Sequence, residues 1–137
     1  VKLVLVSAIA LINDRSEVLL AQRPEGKSMA GLWEFPGGKV EPGESPEACL
    51  VRECAEELGI AVDAADLLPL TFASHAYDDF HILMPVFACH RWHGEPDGLE
   101  GQQLAFAAAD QLGNYAMPPA DEPMLDDIRR ALLTPGA

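Results

Sequence analysis

The sequence predicts an α/β fold in which a mixed β-sheet is covered by helices on both faces. Segments rich in β-forming apolar residues recur between residues 3 and 107, and two stretches with helical spacing interrupt and follow them. At 137 residues, 49% apolar and 23% charged, the chain has the material for one compact domain over 1–137 and is too short for two ordinary ones.

Residues 3–12 and 17–23 read as strands joined as a β-hairpin through Asn13, Asp14 and Arg15. Residues 24–32 are rich in turn formers, and 33–35 read as a short strand that delivers the chain to Pro36, Gly37 and Gly38. Pro42, Gly43, Glu44 and Ser45 turn into a helix from about 46 to 58, capped by Ser45 or Glu44 beside Pro46 and ended by Gly59. Residues 67–76 and 80–92 read as a second hairpin around Asp78 and Asp79. The stretch 93–103 is loop-like, and a brief strand is expected at 104–107. In a terminal helix over 119–133, Met124, Leu125, Ile128, Leu132 and Leu133 recur at helical spacing. There is no internal repeat, low-complexity tract or linker.

A net charge of −13 argues against non-specific binding to nucleic acid polymers or anionic membranes. No segment reaches the roughly 18 to 20 apolar residues that span a bilayer. Cys49, Cys54 and Cys89 form no paired framework, which favours a reducing, cytoplasmic compartment and structural thiols. No obligatory protein partner is inferred. Four of the nine Lys and Arg residues, Arg23, Lys27, Lys39 and Arg52, fall in the stretch around the first helix.

That helix carries Glu53, Glu56 and Glu57 at i, i+3 and i+4. At about 100° per residue, Glu56 and Glu57 lie roughly 60° and 40° to either side of Glu53. Ala48, Val51, Ala55 and Leu58 fall near the opposite side, the face expected to be buried. Like charges about 5 to 6 Å apart repel by roughly 3 kcal/mol per pair at an effective dielectric near 20. Such a strip reads either as a solvated acidic face or as a hard-cation site, since hard divalent cations favour carboxylate oxygen.

Gly38, Glu44, Arg52, Glu53, Cys54, Glu56, Glu57, Gly59 and Ile60 occupy the fixed places of a pattern that resembles the Nudix box, the signature of hydrolases acting on nucleoside diphosphates linked to another moiety. Cys54 departs from the aliphatic residue of the pattern, and a buried thiol behaves as a small hydrophobe. Residues 31–45, 91–102 and 117–123 resemble the MutT branch in the same order, so the resemblance covers nearly the whole chain.

The resemblance implies a Nudix-type α/β/α sandwich that hydrolyses a small-molecule nucleoside triphosphate, notably oxidised purines such as 8-oxo-dGTP, to monophosphate and pyrophosphate. It implies a role in nucleotide-pool sanitation and DNA repair, with Mg²⁺ as cofactor and Mn²⁺ as a substitute. It assigns Glu53, Glu56, Glu57 and Glu100, with the Gly37 carbonyl, to the metal. Glu53 and Glu100 are both candidates for the base that activates water. Glu44 supports the start of the helix, orients Arg52, or reaches a metal through water, and Arg52 orients carboxylates. Arg23 and Lys39 are the phosphate contacts. Base recognition falls to Asp121, where the MutT pattern has an amide, and to Phe35 and Phe80, each of which, like Trp33, is alternatively a core residue. Asp121 and Phe80 depart from the MutT pattern, so a CTP or other pyrimidine triphosphate hydrolase is the alternative. A non-catalytic nucleotide-sensing or interaction domain is a third, which the complete box disfavours.

Overall fold

The computed structural model describes residues 1–134; the last three positions of the expected 1–137 domain lie outside the described residues. Its elements are β1 (Lys2–Leu11), β2 (Val18–Gln22), β3 (Trp33–Glu34), β4 (Gly37–Lys39), α1 (Pro46–Leu58), β5 (Leu68–Ala76), β6 (Phe80–Cys89), β7 (Gln103–Ala107) and α2 (Leu125–Leu133).

The expected mixed sheet has the order β4-β1-β6-β5, with β1 parallel to β6 and the other pairs antiparallel. A second, antiparallel sheet of order β3-β2-β7 lies beside it. The hairpin expected between residues 3–12 and 17–23 is therefore corrected. β1 is held on one edge by β4 and on the other by β6, and β2 meets it only through the Ile12–Val18 bridge. A strand has two hydrogen-bonding edges, and both edges of β1 are taken. The second hairpin forms as expected, although β6 ends at Cys89 rather than 92.

Strand alternation sends side chains into two apolar clusters. Ala8, Ala10 and Ile12 join Val86, Met124, Ile128 and Leu132 on the α2 side. Ile9 and Leu11 join Leu50, Cys54, Leu58 and Phe87 on the α1 side. The two helices thus cover opposite faces. A one-turn 3₁₀ segment, Glu122–Met124, precedes α2, so the terminal helix starts later than residue 119, and its Leu133 is exposed instead of packed.

Helix α1 has the expected bounds, but its buried face differs from the expected one. Ala48 and Ala55 are exposed, while Cys49, Leu50, Cys54 and Leu58 are buried. On the helical wheel Leu50, Cys54 and Leu58 lie about 60°, 100° and 140° from Glu53 on the side of Glu57. The acidic strip borders the core rather than opposing it. No described helix is long and apolar enough to cross a membrane.

Candidate active site

The site starts from the two ends of α1. The Ser45 hydroxyl accepts the Ala48 N–H at 3.0 Å, and Pro46 sets the first helical residue. Gly59 closes the helix in the left-handed conformation with φ 68°, and its N–H returns to the Ala55 carbonyl. Ser7, fully buried on β1, donates to the Pro46 carbonyl at 3.0 Å and so ties the start of the helix to the sheet.

Two glycines let the strand β4 lie under this helix. A Cβ on Gly37 would stand 1.9 Å from the Ser7 carbonyl oxygen, and one on Gly38 would stand 2.6 Å from the Glu53 carboxyl group. The first position leaves room only for β1 and the second only for Glu53.

Arg52 organises one side of the strip. Its Nε donates to Glu44 Oε2 at 2.8 Å and its Nη2 to Glu44 Oε1 at 3.0 Å, a two-pronged pair. Nη1 reaches Glu53 at 2.5 Å and Glu56 at 3.4 Å, and Nη2 also donates to the Lys39 carbonyl. The hydrogen bonds from Arg52, and the Glu41 N–H, hold Glu44 down to about 2.

Glu57 lies on the other side, facing a cleft of about 160 Å³ lined by Gln22, Arg23, Lys27, Glu34, Gly37, Glu100 and Gln102. Burial pushes its carboxyl group up to about 9, reinforced by a hydrogen bond with Glu53 and by the charges of Glu53, Glu100 and Glu34. Glu100 is exposed on a loop that returns to α1, and its charge reaches Glu57 across the cleft.

On the opposite wall, Arg23 Nε pairs with Glu34 at 3.2 Å and its Nη1 donates to the Ser28 carbonyl. Burial raises Glu34 despite Arg23. Asp121 is 5% exposed, and burial together with the Glu34 charge pushes it up to about 7, against the pull of Arg23.

The structure does not gather all the expected residues. Lys39 is exposed beside the strip. Phe35 is buried in the α2-side cluster, and Trp33 packs edge-on against Tyr115. Phe80 stacks on Tyr77 and pairs with Lys2, six residues along β1 from the partner of Gly37, or about 20 Å at strand rise. Lys27, one of the four cations clustered around the first helix, lines the cleft, as do Glu34 and Gln102, which the sequence does not single out. The only signal for Glu34 is that it precedes Phe35 in the stretch leading to Gly37, and for Gln102 that it follows Glu100 by two.

The donor set consists of hard, like-charged oxygens, one of them desolvated, which fits a divalent cation. As arranged, no group of three His, Cys, Asp or Glu side chains among the described residues stands close enough to hold a metal ion, and Glu53 is engaged by Arg52.

A NUDIX domain model matches residues 7–127. The chain belongs to the Nudix hydrolase family. Members of this family generally use a divalent metal. The Escherichia coli 8-oxo-dGTP diphosphatase is 36% identical over 124 residues, covering 90% of this chain and 95% of the relative. The CTP pyrophosphohydrolase of the same organism is 40% identical over 119 residues, covering 85% of each. A solved MutT Nudix hydrolase from Burkholderia pseudomallei superposes with a TM-score of 0.82 at 30% identity, covering 93% of this chain and 98% of that one. This Nudix domain therefore shares the α/β architecture of MutT proteins.

Proposed function

We propose that this Nudix hydrolase cleaves nucleoside triphosphates to the monophosphate and pyrophosphate, with oxidised purines such as 8-oxo-dGTP as the preferred class. The observation that carries the reading is the desolvated Glu57 carboxyl beside Glu53 and Glu100, in a cleft whose other wall supplies Arg23 and Lys27. Glu53, Glu56, Glu57, Glu100 and the Gly37 carbonyl would hold Mg²⁺, for which Mn²⁺ substitutes. The ion would neutralise phosphate oxygens and lower the pKa of a bound water.

The chain's own groups do the rest. Arg52 holds Glu53 and Glu44 in place, and Arg23 and Lys39 take phosphate charge. Glu53 or Glu100 accepts the proton of the attacking water. Glu34 joins this set as a partner of Arg23 that competes with phosphate for the guanidinium.

Asp121 reads the base. It is buried beside the Arg23 and Glu34 pair, and its raised pKa makes it a donor below about pH 7 and an acceptor only above it. Phe35 supports this contact only from the packed core behind Glu34, and Phe80, about 20 Å away along β1, takes no part in it. A carboxylate at position 121, with the 40% identity to a CTP pyrophosphohydrolase, supports CTP as the second reading. The product role would be sanitation of the nucleotide pool, and three buried free thiols suit a cytoplasmic site of action.

A Mg²⁺-dependent pyrophosphate-release panel with 8-oxo-dGTP, dGTP, CTP, dCTP and ADP-ribose tests this directly. The 8-oxo-dGTP signal should lead. A CTP lead selects the second reading, and release from none of the triphosphates overturns both.

A further inference from the structure

We propose that Gln102 is a positioning residue that holds Glu100 against the end of α1, so that the two walls of the carboxylate site move as one. This rests on the reading above that Glu100 serves a divalent metal.

The side-chain amide of Gln102 is used at both ends. Its Oε1 accepts the backbone N–H of Glu100 at 2.8 Å, and its Nε2 donates to the carbonyl of Glu57 at 3.0 Å. One residue thus links the backbones of two acids that lie more than forty positions apart and face one cleft.

The loop makes further contacts of the same kind. The Leu99 N–H also bonds to the Glu57 carbonyl, and the Asp97 N–H bonds to the Leu58 carbonyl. These carbonyls belong to the last turn of α1, where no further helical N–H is available. Leu99 and Asp97 dock the loop through their own backbones, whatever side chains they carry. Gln102 is the side chain that takes the Glu100 N–H itself, within a turn that the Gly101 N–H closes onto the Gly98 carbonyl, and Gly101, at φ 83°, lets the chain turn back for it.

An amide suits the task because it offers one acceptor and two donors without charge. A carboxylate there would lose the donor to Glu57 and add a fifth acid to the cleft that already collects Glu34, Glu57 and Glu100 beside Glu53. An aliphatic side chain of equal length would leave the Glu100 N–H to water and the Glu57 carbonyl with the Leu99 N–H alone.

The test is Mn²⁺ binding by the full chain without nucleotide, read from the free-ion EPR signal, in a two-by-two cycle of Gln102→Met and Glu100→Ala. Gln102→Met should weaken Mn²⁺ binding about tenfold in the parent, the lower end of what loss of a ligand-orienting partner costs. In the Glu100→Ala background it should cost nothing further. Gln102→Ala, run in the same cycle, decides the matter if the Met variant does not fold. Equal losses in both backgrounds, no loss in the parent, or unchanged binding in Glu100→Ala would each overturn the role given to Gln102. Glu53→Gln and Glu57→Gln serve as separate controls. If these two bind Mn²⁺ like the parent, the metal reading itself fails, and the role of Gln102 fails with it.

Discussion

Asp121 shows how a single residue acquires its chemistry from the fold. In an unfolded chain its carboxyl would titrate near 3.8, whereas burial and the Glu34 charge move it to about 7. Between those values the folded protein binds the extra proton, so the contribution of Asp121 to stability falls as pH rises from about 4 to 7 and is level above. Asp121→Asn removes this term, since an amide does not titrate. The stability of the variant relative to the parent should therefore be higher at pH 8 than at pH 5, as read from urea midpoints. The same difference at both values would show that the carboxyl does not titrate in this window. Glu57, also raised, is present in both proteins and cancels in the comparison. The departure from the MutT pattern at position 121 was legible in the sequence. Its neighbours were not, because Glu34 and Arg23 reach it only through the packing of the second sheet.

At the scale of elements, α1 was the most legible part of the chain, since its boundaries are written in local chemistry. Ser45 acts on the first turn through its hydroxyl, and Gly59 on the last turn through its own backbone. Ser45→Ala should lower unfolding stability by about 1 kcal/mol, measured by urea titration, because it orphans the Ala48 N–H. A change within error would mean that water replaces the cap. The orientation of the same helix was less legible. Small Ala48 and Ala55 lose little by facing water, whereas Leu50 and Leu58 lose much, so the larger side chains set the rotation. That rotation carries Glu57 towards the core and causes its desolvation. The β1–β2 pairing failed for a related reason. Alternation shows that a segment is a strand, but the choice of partner is made by β4 and β6, one of which lies some seventy residues downstream.

For the whole molecule, a charge of −13 is tolerable where it is spread over the surface, and costly where carboxylates converge. Glu34, Glu57 and Glu100 arrive from β3, α1 and the loop before β7. A ligand held only by the assembled site adds RT ln(1 + [L]/Kd) to stability, about 2.7 kcal/mol at a hundredfold excess over Kd. Mg²⁺ should therefore raise the thermal midpoint of the parent and leave Glu53→Gln and Glu57→Gln nearly unmoved. Calorimetry with and without the ion decides this, and a parent midpoint indifferent to Mg²⁺ would sink the idea. The docking of the Glu100 loop onto the last turn of α1 then has a consequence beyond catalysis. On the proposed metal reading, losing the cation would remove what holds these acids together across the contacts that close the cleft, and openings that expose this seam to proteases would become more frequent. The working lifetime of the protein, and not only its rate, would then be a reading of the divalent ion around it.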